Sequence, residues 1–437
     1  MGKYFGTDGY RGIVGEELTA EHAYKIGRYL GAHFGDKIAI GKDTRKSSYM
    51  LEYAISAGIC ASGADAYLLH VTTTPSVSYI TKNEGFSAGV MISASHNPYY
   101  DNGIKLFSSA GEKMSDEITD KIEEYIDSAD TAPRAGRADV GKTVDYVIGR
   151  NKYAGHLISL SRHSFRGIRV GIDGANGAAW TLAKSVFDTL GATTEIIGCA
   201  PNGTNINDGV GSTHPEGLSA LVREKGLDIG FAFDGDTDRC IAADENGRII
   251  DGNAILYFMA KHMKHRQELS GEVVGTVMAN EALPRALSNY GIGFCRTDVG
   301  DRFVMEEMKR RSSNLGGEES GHIIFGDIAS SGDGIITAIK IMEALIDSGG
   351  RASELSLGYE PLPFMTKNVR VADKDAAISS KKVQIILEKW QKRLHGCGRV
   401  LLRKSGTEPV LRIMAQAEDN RLCSECTEEL AAIISSF

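Results

Sequence analysis

At 437 residues the chain has room for about three domains of ordinary size. Its 42% hydrophobic and 24% charged residues are those of a globular protein rather than a disordered one. The balance of 49 Lys+Arg against 57 Asp+Glu, a formal charge of −8, argues against nucleic-acid binding driven by bulk charge. No apolar run reaches the roughly 18 residues of a membrane span. The opening MGKYFGTDGYRG lacks a signal-like apolar core, and seven scattered cysteines read as reduced thiols, so a cytoplasmic protein is expected.

Taken in chain order, three segments repeat one grammar of apolar strand, small polar loop and helical pattern. They are KIAIGKDTRKSSYMLEYAI from Lys37, IRVGIDGANGAAWTLAKSVF from Ile168 and EVVGTVMANEALPRALSNY from Glu272. Strands alternating with helices predict α/β layers with partly parallel sheets. The polar stretch SADTAPRAGRADVGK, a turn before Gly252 and the proline-bearing PLPFMTKNVRV mark boundaries. The expected fold is three similar mixed-sheet α/β domains at 1–150, 151–252 and 253–364. A smaller α+β domain, patterned strand, helix, strand, strand, helix, follows at 365–437.

Four segments carry chemistry. After the apolar run AGVMI, the segment Ser93-Ala-Ser95-His96-Asn-Pro98 can expose a hydroxyl on a loop, because the Asn-Pro pair forces a turn. Ser95 beside His96 suits a nucleophile, although adjacent side chains generally point apart and no third triad member stands out; a capped turn is the plain alternative. After LDIGFAF come Asp234, Asp236 and Asp238, three carboxylates at alternate positions that would repel without a cation. Their spacing with Glu245 partly mimics an EF-hand, but Arg239 replaces the turn glycine and a strand precedes the loop. A hard divalent ion such as Mg²⁺ fits, with positions left open for a substrate oxygen. The loop Gly316-Gly-Glu318-Glu319-Ser320-Gly-His322 suits a polyol, though a polar surface loop would look similar. Arg403-Lys-Ser405-Gly406-Thr407-Glu-Pro409, between two strands, with Arg412 nearby, is either a phosphate nest or an ordinary hairpin turn. GIDGANG lacks the dinucleotide fingerprint, and Cys423-x-x-Cys426 has no second pair or histidines for zinc.

Together and in this order, the four segments resemble the signature of the α-D-phosphohexomutase superfamily, from FGTDGYRG to RKSGTEPVLRIM. ISASHNPYYDNGIK, NINDGVGSTHPEG, VGDRFV and GGEESGHIIF are similar to its bacterial branch acting on glucosamine phosphates. The resemblance implies a TATA-binding-protein-like fourth domain and one central cleft. It also implies interconversion of glucosamine 6-phosphate and glucosamine 1-phosphate through a phosphoserine and a 1,6-bisphosphate. Ser95 would carry the phosphoryl group and, with Asp234, Asp236 and Asp238, hold one Mg²⁺. Arg11, Lys105 and His322 would surround the reaction centre, with the general base left open between Lys105 and His322. Burial beside Mg²⁺ and Arg11 is expected to depress the Lys105 pKa. Arg239, Glu318 and Ser320 would bind the sugar phosphate, while Arg403, Ser405, Gly406, Thr407 and Arg412 would grip the spectator phosphate. A glucosamine or glucose 1,6-bisphosphate would activate the enzyme. Partners would be small sugar phosphates, with no nucleic acid and no membrane, and a homodimer stays open. Val210, Thr237 and Glu319 depart from the branch's usual Cys, Gly and Gln. A phosphomannomutase or phosphoglucomutase, a phosphatase and a non-catalytic sugar-phosphate binder are the rivals.

Overall fold

Runs of small and branched apolar residues become the buried strands of four sheets in the computed structural model, which describes residues 2–404, 409–435 and 437. The first sheet holds β1 (Phe5–Gly6), β2 (Gly9–Ile13), β3 (Lys37–Lys42), β4 (Asp65–Val71), β5 (Ala88–Ile92), β6 (Asp101–Ser108) and β7 (Thr143–Asp145), in the order β1-β2-β6-β5-β3-β4-β7. The second holds β8 (Arg169–Asp173), β9 (Thr193–Ile197), β10 (Ile229–Phe233), β11 (Cys240–Asp244) and β12 (Ile249–Ile250), ordered β12-β11-β10-β8-β9. The third holds β13 (Val273–Thr276), β14 (Phe294–Thr297), β15 (Leu315–Gly317) and β16 (Ile323–Phe325), ordered β14-β13-β15-β16.

All three sheets share one seam. β5 runs parallel to β3 but antiparallel to β6; β10 runs parallel to β8 but antiparallel to β11; β15 runs parallel to β13 but antiparallel to β16. Each of β5, β10 and β15 is buried at every residue, as strands inside mixed sheets with covered faces must be. The loop closing each seam hairpin leaves the carboxyl end of a parallel strand, where open α/β sheets place their ligand sites. Those three loops carry Ser95, the three aspartates and Glu318 to His322.

By its contacts the chain divides into two units, one of Met1–Met278 with Ile292–Leu357 and one of Ala279–Gly291 with Gly358–Phe437. The second unit has an antiparallel sheet of β17 (Phe364–Arg370), β18 (Gly398–Lys404) and β19 (Val410–Ala417), with β19 central. Helices Lys381–Leu394 and Asn420–Ile434 bury Trp390, Leu430, Cys423 and Cys426 with Leu411 and Ile413 of that sheet. The strand-loop-helix segment from Glu272 is therefore split: β13 lies in the first unit, and its helix Ala282–Ser288 belongs to the second. Hydrogen bonds from Asn280 Nδ2 to Leu362 O (2.9 Å) and from Glu281 N to Gln416 Oε1 (2.9 Å) hold it there.

Candidate active site

Ser95 sits just beyond β5, buried, with a φ of +53° that ordinary residues avoid. Its neighbours impose that conformation. Asp43 and Arg45 at the end of β3 form an ion pair that is fully buried, and Asp43 accepts from Ser48 Oγ (2.8 Å) and Ser93 Oγ (2.7 Å). Ser93 Oγ in turn accepts from Ser95 N (3.0 Å). Arg45 donates to Asn97 O (2.6 Å) and Ser95 O (3.3 Å), while Asn207 Nδ2 donates to the same two carbonyls at 3.2 and 2.9 Å. Gly235 closes the approach, because a Cβ there would lie 2.6 Å from Ser95 O. The result is a rigid loop that aims Ser95 Oγ at Asp234 Oδ2, 2.5 Å away. His96 is closer than adjacency suggests, with Nδ1 3.4 Å from Ser95 Oγ. Burial, then Arg239 and Arg11, hold the His96 pKa down to about 3, so the ring is neutral.

Asp234, Asp236 and Asp238 follow β10 on one tight turn and are all buried, with ligand oxygens within 4.8 Å of one another. Asp236 Oδ1 is buried without any hydrogen-bond partner, and Asp238 Oδ1 comes no nearer than 3.6 Å to the His322 ring. Burial, then the charges of Asp238 and Asp236, push the Asp234 carboxyl well above the usual carboxylate range. Crowded carboxylates, the orphaned Asp236 Oδ1 and an all-oxygen donor set fit a hard divalent cation. The turn is itself strained: Thr237 has a φ of +68° and its buried hydroxyl has no partner. Glycine would adopt that conformation freely, which explains why Thr237 is a departure.

Lys105, on β6 opposite Met91, brings its buried ammonium to Asp236 (2.9 Å), Asp8 (3.1 Å) and Asp238 (3.2 Å). Burial alone would lower its pKa, but the three carboxylates outweigh it and hold the group well above its ordinary value. These acids converge on Lys105 from two domains, Asp8 from the first and Asp236 and Asp238 from the second. Asp8 also accepts from Arg11 and Lys113, and Arg11 reaches Asn97 Oδ1 at 3.3 Å. Lys113 continues to Asp301 (2.7 Å), whose carboxylate stands 3.6 Å from His322 Nε2. His322 Nδ1 faces Asp238 Oδ1 at 3.6 Å, and Gly332 N–H donates to Nε2 at 3.0 Å. Burial favours a neutral ring, yet Asp238, Asp301 and Glu318 push its pKa up to about 9. A second proton on the ring therefore competes with the Gly332 amide for Nε2.

Arg239 follows the aspartates, its backbone N–H donating to Asp234 Oδ1 (3.2 Å) and its guanidinium reaching Asp238 (4.0 Å). The Glu318–Ser320 turn packs directly on the start of helix Gly252–His265, where a Cβ on Gly252 would meet Glu318 O at 2.0 Å. Burial, above all, raises the Glu318 pKa, and Ser320 Oγ is buried without a partner. Ser95, Lys105, Arg11, Asp234, Asp236, Asp238, Arg239, Glu318, Ser320 and His322 thus all belong to the first unit. Arg403 and Arg412 lie in the second, directly paired across β18 and β19. Ser405, Gly406 and Thr407 lie outside the described residues. Asp8, Asp43, Arg45, Lys113, Asn207 and Asp301 were missed as individual residues. The signal was present for Asp8 and Asp301, inside FGTDGYRG and VGDRFV, but single charged residues in those segments do not declare their partners.

Residues 2–133, 151–247 and 251–360 match alpha/beta/alpha domains I, II and III of phosphoglucomutase/phosphomannomutase, and residues 367–433 match its C-terminal domain. The chain is 52% identical to a phosphoglucosamine mutase of Lachnospira eligens, covering 100% of this chain and 99% of that one. Among solved structures it resembles a phosphoglucomutase/phosphomannomutase family protein of Burkholderia thailandensis, with a TM-score of 0.83 at 22% identity, covering 100% and 98% of the two chains. An Aspergillus fumigatus N-acetylphosphoglucosamine mutase in complex with GlcNAc-6P and magnesium shares the fold with a TM-score of 0.71 at 18% identity, over 100% and 96%.

Proposed function

This chain belongs to the phosphoglucomutase/phosphomannomutase family, and from that footing we propose that it interconverts glucosamine 6-phosphate and glucosamine 1-phosphate. The observation that carries the chemistry is the buried Ser95 hydroxyl, hydrogen-bonded at 2.5 Å to one of three clustered aspartates. The choice of sugar rests on the 52% identity, over both full lengths, to a phosphoglucosamine mutase.

Phospho-Ser95 donates its phosphoryl group to the free hydroxyl of the hexosamine phosphate. The serine O–P bond breaks as the sugar O–P bond forms, leaving a 1,6-bisphosphate. That bisphosphate turns over while bound, and its other phosphate returns to Ser95. Asp234, Asp236 and Asp238 would hold one Mg²⁺, with Ser95 beside them, and the ion would supply charge stabilisation to the transferring group. Lys105 and Arg11 add fixed positive charge at the same place. Lys105 and His322 share Asp238, on Oδ2 and Oδ1 respectively; Lys105 stays charged, and His322, its pKa pushed up to about 9, exchanges the sugar proton. Glu318 and the unpartnered Ser320 hydroxyl bind sugar hydroxyls, and Arg239 contacts the sugar phosphate. The carboxylates of Glu318 and Glu319 favour a protonated 2-amino group by about 0–1 kcal/mol. Arg403 and Arg412, facing each other across an antiparallel pair, suit the non-reacting phosphate dianion, a role that Ser405, Gly406 and Thr407 share. A glucosamine or glucose 1,6-bisphosphate activates the enzyme by charging Ser95. No helix among the described residues is long and apolar enough to cross a membrane. All seven cysteines are free, which suits a reducing cytoplasm.

The test has two readings. Incubation with a hexose 1,6-bisphosphate adds one phosphate to Ser95, seen by intact mass. The kcat/KM for glucosamine 1-phosphate then exceeds those for glucose and mannose 1-phosphates. A higher value for either of those sugars overturns the substrate, and absence of the phosphate overturns the mechanism.

A further inference from the structure

The metal loop is held by an element outside its own domain. Helix Thr74–Asn83 begins with Thr73 as its cap, whose Oγ accepts from Ser76 N at 3.2 Å, and Pro75 stiffens the first turn. The backbone N–H of Thr74 has no acceptor within the helix and donates instead to Asp236 O at 2.9 Å. The Thr74 hydroxyl donates to Asp236 Oδ2, the same oxygen that Lys105 Nζ reaches at 2.9 Å. Asp236 Oδ1, equally buried, has no donor at all. Two donors on one carboxylate oxygen and none on the other fix the carboxylate's rotation and keep its free oxygen for a cation. Thr74 is 2% exposed, so no water replaces its hydroxyl.

We propose that Thr74 is a positioning residue for the divalent metal, its hydroxyl locking the Asp236 carboxylate in the rotamer that leaves Oδ1 for the ion. The proposal rests on the reading of Asp234, Asp236 and Asp238 as the Mg²⁺ site. Hydrogen-bond partners of metal ligands set ligand orientation, and their loss costs about 10–100-fold in metal affinity.

The substitution Thr74→Val keeps the shape and the backbone N–H but removes the hydroxyl; Thr74→Ser keeps the hydroxyl. MgCl2 is titrated calorimetrically into the full chain as wild type, Thr74→Val, Thr74→Ser and Asp236→Asn, with thermal unfolding followed in chelator. The expected result is a Mg²⁺ Kd raised about 10–100-fold in Thr74→Val and restored to within about threefold of wild type in Thr74→Ser. A merely structural role would lower the melting temperature in chelator without changing the Mg²⁺ Kd, and that result overturns the proposal. If Asp236→Asn weakens Mg²⁺ while Thr74→Val does not, the role of Thr74 alone falls. If wild type and Asp236→Asn bind Mg²⁺ alike, the metal site falls and the proposal falls with it.

Discussion

Replacing Arg45 with Met tests whether the Ser95 loop is held from behind rather than by substrate. Arg45 and Asp43 are both fully buried, and Arg45 alone ties the pair to the carbonyls of Ser95 and Asn97. Removing one partner of a buried ion pair costs about 3–5 kcal/mol, because the other charge is left without compensation. Asp43 would keep hydrogen bonds from Ser48 (2.8 Å), Ser93 (2.7 Å) and the backbone N–H of residue 45 (2.9 Å), so the lower end, about 3 kcal/mol, is expected. The melting temperature should fall by several degrees while the chain still folds. The catalytic effect is larger than the stability effect suggests. Ser95 holds a φ of +53° against its preference, and Asn207 would be left as the other side-chain donor to its carbonyl. A displacement of about 1 Å at the nucleophile costs about 100-fold in rate. Arg45→Lys should rescue little, since one ammonium cannot reproduce the fork that reaches Asp43 and two carbonyls. Thermal unfolding and a coupled mutase assay read the two effects, with kcat falling about 100-fold and KM for the sugar phosphate nearly unchanged. A kcat within about threefold of wild type would show that Asn207 and Ser93 hold the loop alone, refuting the reasoning.

Ser95→Ala should abolish turnover without unfolding the chain; retention of more than about a thousandth of wild-type activity, an effect below roughly 4 kcal/mol, would rule out an obligatory carrier. Thr237→Gly should leave stability unchanged or raise it by about 1 kcal/mol, because it relieves the φ of +68° and removes a buried unpartnered hydroxyl at the cost of chain entropy; a clear loss in thermal unfolding would show that the strain is compensated. Burial raises the Asp333 pKa to about 6, against the hydrogen bonds it accepts from Tyr153 and the helix amides. The unfolded carboxyl ionises first, so this group subtracts stability progressively as pH rises from about 4 to about 6. Asp333→Asn should therefore flatten the stability profile across that window relative to wild type, while still capping the helix; superimposable profiles of melting temperature against pH would contradict this. Arg403→Ala should raise KM alike for every phosphorylated sugar, the loss of a charge-assisted contact worth about 1.5–3 kcal/mol. A loss confined to one sugar would count against it.

The seam strands and their loops are legible in the sequence because their determinants are local. AGVMI and LDIGFAF are too apolar to lie anywhere but inside a sheet, and the residues after them are too polar and too small to continue it. Alternate aspartates after such a run already point to a cation site. The helix Ala282–Ser288 shows where local reading ends: its pattern is right, but its unit is set by Leu362 and Gln416, far along the chain. The charge state of Lys105 shows the same limit. Burial beside Mg²⁺ and Arg11 suggested a lowered pKa; the opposing pull of Asp8, Asp236 and Asp238, brought from positions 97 to 133 residues away, is visible only in the folded chain. Electrostatic energy depends on distances of a few ångströms, which sequence separation does not encode. Which oxygens touch, as when Thr74 meets Asp236 or Lys113 bridges Asp8 and Asp301, is therefore decided only when the sheets have packed.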